Sequence, residues 1–339
     1  MENLIYMAGL LKVLKKYREE SFSERDKGER FERLMQAYLQ TDPLYKSQLC
    51  HVWMWNEFPF KDSISLVDVG IDLVAQTFEG EYWAIQCKCY KIGTVIDKPE
   101  VDSFLTTSSQ AFADDKGNKT FFSVRLWIDT TEKGFNKNAE NAIKGQQIPV
   151  SRIGLKDLLE AELDWEELDR GKLGTIAQTK PKEPKEHQIE AIEAAEEYYK
   201  TNDRGKLIMA CGTGKTFTSL KIAEKLTENQ GLVLFMVPSI ALLGQTLRAW
   251  NNDSVTGIRS ICVCSDADVS RDKKQNEDAD GYSIVDIAMP ASTNPEDVRK
   301  QYFNIRKNFK GMLVVFSTYQ SIECVSQAQR LIGDELRLT

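Results

Sequence analysis

Apolar positions change their period along this chain. Over residues 1–50 they recur at helical spacing, and Phe31, Leu34, Met35, Tyr38 and Leu39 fall on one face. The apolar run from Leu4 to Leu11 follows Glu2 and precedes Lys12, Lys15 and Lys16. It reads as one side of an amphipathic helix and not as a signal peptide. From Ser63 to Tyr90 the pattern is strand-like, with a turn at Glu79-Gly80. A helix over 98–113, a β-rich stretch over 120–128, a helix over 136–144 and a short strand over 149–153 follow. Strands interleaved with helices predict an α/β domain.

The stretch from Gly171 to Glu186 is charged, carries Pro181 and Pro184 and has little apolar content, which marks an interdomain linker. The expected division is a first domain over 1–168, a linker over 169–184 and a second domain over 185–339. Beyond the linker, strands expected at Leu207 to Ala210, 232–237, 258–264 and 312–316 alternate with helices at 215–229 and 241–250. Asn294-Pro-Glu-Asp297 has the form of a helix start, 266–280 reads as an exposed charged loop, and 321–332 as helix. This order predicts a parallel sheet flanked by helices.

Met209-Ala-Cys-Gly-Thr-Gly-Lys-Thr216 fits the phosphate-loop template G-x-x-x-x-G-K-[ST], with Met209 in place of the first glycine. Gly212 and Gly214 let the backbone curl around Thr213 so that N–H groups point at a phosphate. Lys215 supplies a mobile charge and Thr216 a hydroxyl for Mg2+. His187-Gln188, upstream at the start of an amphipathic helix, resembles the adenine-reading glutamine of superfamily 2 helicases. Pro238-Ser239 through Gln245, and Thr318-Tyr-Gln320 at a strand end, resemble segments with which such motors touch DNA. Together these make ATP and Mg2+ the expected cofactors. An acidic pair after a further apolar strand is needed to activate water. Asp334-Glu335 follows a helical segment and is rejected, so ATP binding without turnover is the expectation for these 339 residues.

A second constellation is Asp72, then Gln86-Cys-Lys88 on the next strand. Gln86 and Lys88 are two apart and face the same way. A three-residue connection at 79–81 sets Asp72 opposite Lys88, whereas a two-residue connection sets it opposite Cys87, on the wrong face. The sequence leaves both open. Asp72 offers the anionic oxygen that Mg2+ prefers, Lys88 can orient water or steady phosphate charge, and Gln86 offers a neutral amide oxygen where a carboxylate is more usual.

Gly28-Glu-Arg-Phe-Glu-Arg-Leu34, Val69-Gly-Ile-Asp-Leu-Val74 and Gln86-Cys-Lys88 together resemble the Mrr-like branch of the PD-(D/E)xK nucleases, in which the glutamine variant is usual. The resemblance implies a catalytic glutamate on the early helix, here Glu32. Val101-Asp-Ser-Phe-Leu105, Asp129-Thr-Thr131, Asn138-Ala-Glu-Asn141 and Asp164-Trp165, followed by the motor motifs, resemble the N-terminal part of single-chain Type ISP restriction-modification enzymes. That resemblance implies a restriction-endonuclease-like mixed sheet followed by a RecA-like parallel α/β lobe. It also implies a parent that translocates along double-stranded DNA on ATP, cuts when motors meet, and continues into a second motor lobe, a methyltransferase and a target-recognition domain.

Composition narrows this picture. No apolar run reaches the ~20 residues of a bilayer span, so no membrane partner is expected. Seven cysteines, four of them in the pairs Cys87/Cys89 and Cys262/Cys264, with only two histidines, favour reduced thiols in a bacterial cytoplasm over a zinc site. The net charge of −7 gives nucleic-acid binding no support from the whole chain, so DNA contacts must be local. The expected function is an ATP-dependent restriction-type DNA endonuclease and translocase. A helicase-like DNA remodeller with a non-cleaving nuclease-like domain is the alternative, and a nucleotide-binding scaffold a third.

Overall fold

A computed structural model of the chain describes residues 2–64, 70–174, 177, 182–264, 287 and 289–333. Val69, the loop at 266–280 and Asp334-Glu335 lie outside them. The chain divides into two compact units at residues 179 and 180, with 285–290 counted in the first unit. The division falls inside the expected linker, but the linker's first half is not free chain. Gly174 N donates to Thr41 Oγ1 at 3.3 Å and Asp164 N donates to Ala177 O at 2.9 Å.

The first unit opens with α1 (Glu2–Glu20) and α2 (Glu24–Thr41). Ser23 starts α2 by accepting from Asp26 N at 3.1 Å. Phe31, Leu34, Met35, Tyr38 and Leu39 are all buried, as their spacing predicts. After α3 (Pro43–Lys46), β1 (Leu49–Met54) begins inside the stretch read as helix. Val52 and Met54 are buried two apart, while Leu49 is out of phase across an irregularity in the pairing with β2, and five apolar or aromatic residues in six conceal the strand from sequence reading.

β2 (Leu73–Thr77), β3 (Tyr82–Lys88), β6 (Phe122–Asp129) and β7 (Val150–Ile153) complete a sheet of order β1-β2-β3-β6-β7. β1, β2 and β3 are antiparallel, and β3, β6 and β7 parallel. The mixed sheet is as expected. A small ribbon of β4 (Phe112–Ala113) and β5 (Lys119–Thr120) stands apart. One face of the sheet carries a core of Val74, Ala84, Phe104 and Trp127, under α4 (Lys98–Thr107) and α5 (Lys137–Ile143). α2 packs against β1 and β3. α6 (Leu155–Glu160) and α7 (Trp165–Asp169) close the unit, and Trp165 stacks on Tyr38 with ring centroids 5.4 Å apart. Each fully buried aromatic or leucine contributes roughly 1.5–3 kcal/mol through apolar area removed from water.

The second unit contains α8 (Glu186–Tyr199), α9 (Lys215–Leu226), β8 (Leu232–Val237), α10 (Ile240–Asp253), β9 (Arg259–Val263), α11 (Pro295–Asn308), β10 (Leu313–Thr318) and α12 (Ile322–Ile332). Its sheet has the order β8-β10-β9 and is wholly parallel. α11 starts as its sequence predicts, with Asn294 Oδ1 accepting from Glu296 N at 3.0 Å. One expected strand is not formed. Residues 207–210 pair with nothing among the described residues, and Ile208 is 90% exposed. A strand needs a neighbour for its backbone groups, and β8, β9 and β10 offer this segment none.

Candidate functional site

The β2–β3 turn sets the register of the hairpin that ends beside Asp72. Thr77 N donates to Glu81 O at 2.8 Å, and Gln76 pairs with Tyr82. The connection is therefore a three-residue loop at 78–80, one residue earlier than 79–81. Gly80 takes φ +87°, the left-handed conformation such a loop needs. Continuing the ladder, Leu73 pairs with Ile85 and Asp72 N donates to Ile85 O at 2.9 Å. The regular ladder ends at Leu73, and Asp72 is the bend just ahead of β2, not opposite Lys88 as expected. Gln86 and Lys88 share a face of β3, and the Asp72 side chain comes to Gln86 by direct contact.

There Gln86 Nε2 and the Cys87 backbone N both donate to Asp72 Oδ2 at 2.7 Å. The Cys87 contact was not legible in sequence, because every residue carries the same N–H. Burial lifts the Asp72 carboxyl above the usual range, opposed by the Lys88 ammonium and these two hydrogen bonds. Glu32 reaches the same charge cluster from α2. Its carboxyl is pushed up to about 7, first by burial and then by the Asp72 carboxylate, with Lys88 acting the other way.

Among the described residues no three His, Cys, Asp or Glu side chains gather to hold a metal ion. The donors present are Asp72, Glu32 and the Gln86 amide oxygen. Two carboxyls raised by burial, one of them also by the charge of the other, are what a divalent cation relieves. Mg2+ is commonly held by one or two carboxylates with waters filling its other positions, so this set fits it.

In the second unit the phosphate loop has the backbone its glycines predict. Gly212 and Gly214 take φ +77° and +83°. Gly214 precedes α9, and a Cβ on it would lie 2.4 Å from Gln188 Nε2. Gln188 is buried, donating to Thr213 O at 2.9 Å and accepting from Lys185 N at 2.9 Å. Its Nε2 end thus braces the loop, while its Oε1 end holds the start of α8. His187 Nε2 also lies 3.1 Å from Thr213 O. Lys215 Nζ donates to Ala210 O at 3.0 Å and Met209 O at 3.3 Å, a self-contact that phosphate would replace. The Thr216 backbone O accepts from Trp250 Nε1 at 3.0 Å, which ties the start of α9 to α10. These residues fit a nucleotide's phosphates and their Mg2+.

Two family models divide the chain as the two units do. Residues 40–175 match the model described as a restriction endonuclease. Residues 181–336 match that of the Type III restriction enzyme, res subunit. The chain is a restriction endonuclease domain joined to a helicase-type domain. A solved structure of the ATP-dependent Type ISP restriction-modification enzyme LlaBIII bound to DNA is similar over 96% of this chain and 19% of its own, with 33% identity and a TM-score of 0.74. A nuclease-deletion mutant of the Type ISP enzyme LlaGI with a DNA substrate mimic is 44% identical over 44% of this chain and 14% of its own, at a TM-score of 0.37. The chain thus spans about a fifth of the first enzyme's length. No curated protein matches it.

Glu32 lies ahead of the residues matched to the endonuclease model, yet the fold brings it to Asp72. In the helicase-type domain the expected DNA-facing residues separate. Ser239 caps α10, accepting from Leu242 N at 3.3 Å, and Gln245 is exposed. Gln320, also exposed, donates to Pro238 O at 3.5 Å, so the carboxyl ends of β8 and β10 meet at one edge. Thr318 departs from expectation. It is fully buried and its hydroxyl donates to Ser321 Oγ at 3.2 Å, because the last residue of β10 points into the domain. No described helix is long and apolar enough to cross a membrane.

Proposed function

We propose that the chain is the nuclease and nucleotide-binding portion of an ATP-dependent restriction translocase. The endonuclease domain hydrolyses phosphodiesters of double-stranded DNA, and the helicase-type domain binds ATP with Mg2+. One observation supports the cleavage reading above the rest. Asp72 is held at 2.7 Å by both Gln86 and Cys87, and its charge and that of Lys88 both act on Glu32. The similarity to a DNA-bound Type ISP enzyme supports duplex DNA as the substrate.

Asp72, Glu32 and the Gln86 amide oxygen would hold a divalent ion, which when bound polarises the phosphate and lowers the pKa of water. Lys88 steadies the charge that grows on the phosphoryl oxygens. The hydrogen bonds to Asp72 fix its second oxygen, so that Oδ1 is aimed. In the other domain, the backbone N–H groups around Gly212, Thr213 and Gly214 would cradle phosphates. Lys215 would release its loop carbonyls to meet them, and Thr216 would offer its hydroxyl to Mg2+. Ser239, Gln245 and Gln320 mark the edge proposed to touch DNA.

A plasmid-cleavage assay with Mg2+ or Mn2+ tests the reading. Cleavage is expected from the parent chain and lost in Asp72→Asn and Lys88→Ala, with DNA binding retained. The neutral Gln86 favours one other reading, a DNA remodeller whose endonuclease-like domain does not cut. That reading expects neither substitution to change cleavage or binding.

A further inference from the structure

Lys88 has a carboxylate neighbour that is kept from it. β3 and β6 run parallel with Lys88 paired to Asp129, so the two side chains share a face on adjacent strands. Asp129 is fully buried, and at that place it is a ready partner for a lysine ammonium. Arg152 takes it instead. Its Nε donates to Asp129 Oδ2 at 2.7 Å and its Nη2 to Oδ1 at 3.0 Å. Thr131 N donates to Oδ1 at 2.8 Å. The guanidinium is fixed on its other sides as well. Nη2 donates to Thr131 O at 3.1 Å, and the Phe135 ring centroid lies 5.8 Å away. A Cβ on Gly134 or Gly154 would come within 2.9 Å of it.

Lys88, by contrast, makes no hydrogen bond or ion pair through its ammonium among the described residues. The carboxyls that feel its charge are Asp72 and Glu32, those of the site itself. The segment after Lys88 is held by the same loop that Arg152 braces. Thr130 N donates to Lys88 O at 3.3 Å, and Thr130 Oγ1 donates to Tyr90 O at 2.7 Å.

We propose that Arg152 is a positioning residue for cleavage: by engaging both oxygens of Asp129 it keeps that carboxylate from capturing the Lys88 ammonium, which stays free for phosphate. The inference rests on the proposed role of Lys88. A bidentate guanidinium suits this task, and a lysine, a single point charge, does not. Removing Arg152 alone leaves Asp129 as an unmatched carboxylate beside Lys88. Removing both charges leaves Lys88 with no competitor.

The test uses the full chain and two readouts. One is acylation of Lys88 by an amine-selective reagent, followed by peptide mass spectrometry. The other is plasmid cleavage, resolved into kcat and KM. Arg152→Met is expected to slow Lys88 labelling severalfold and lower kcat about tenfold with KM little changed. Asp129→Asn combined with Arg152→Met is expected to restore labelling and to recover most of kcat. If Arg152→Met does not fold, Arg152→Lys takes its place, with a smaller loss in the same direction. Unchanged Lys88 labelling in a folded single variant overturns the proposal, as does a folded double variant no better than the single. Labelling does not depend on cleavage. A parent chain that fails to cut therefore counts against the proposed function, while the labelling series still decides the role of Arg152.

Discussion

At the scale of single residues, the candidate nuclease site is a problem of charge. Glu32 and Asp72 are both held above the ordinary carboxylate range, and for both the first cause is burial. Glu32 titrates at about 7 in the fold and well below that when unfolded. Its protonated form is therefore favoured by folding. The stability this confers is present in full at acid pH and is lost as pH rises through about 7. The metal-free chain is expected to lose thermal stability between pH 6 and pH 8, about the Glu32 value of 7. Glu32→Gln should lose less over that interval, and Mg2+ should restore the parent selectively. Thermal melts at the two pH values, with and without Mg2+ and chelator, check this. Because metal and proton compete for the same oxygens, cleavage at limiting Mg2+ should rise through the same interval and be lost in Glu32→Gln.

At the scale of elements, the hairpin is the part on which the site depends most. Gly80 has no heavy atom within 4 Å of where a Cβ would sit, so a substitution there meets backbone strain and no clash. Gly80→Val is expected to cost about 1–2 kcal/mol, read by denaturant unfolding, with cleavage by the remaining folded fraction unchanged. Asp72 is held by hydrogen bonds with Ile85, Gln86 and Cys87 and not by the residue at the turn, so reduced activity in the folded protein would contradict this account. Sequence reading had the loop length right among its options and the loop's position wrong by one residue. Parity along the ladder ends at Leu73, so the contact of Asp72 with Gln86 was not decided by the loop. It failed at 207–210, where an apolar run signals a strand but the described residues supply no partner for it.

At the scale of the whole molecule, charge limits how DNA is held. The chain carries a net −7, and the edge proposed for DNA contact presents Ser239, Gln245 and Gln320, all neutral. Neutral contacts release few counterions. Binding to duplex DNA should therefore fall only about tenfold between 50 and 200 mM salt, against the ~1000-fold expected when six or more phosphates are neutralised by Lys or Arg. Anisotropy titrations across salt measure this slope, and a steep one would show that a basic surface elsewhere carries the binding.

What the sequence determined by itself is what covalent spacing controls. Residues two apart on a strand share a face, so Gln86 and Lys88 were tied together before any fold was known. Gly-x-Gly-Lys-Thr before a helix likewise fixed the phosphate loop. The tertiary structure decided what lies between segments distant along the chain. It set Asp129 beside Lys88, carried Glu32 from α2 to Asp72, turned Thr318 inward and left 207–210 without a neighbour. Side-chain period is a property of one backbone, whereas the neighbour of a strand is chosen by the packing of all of them.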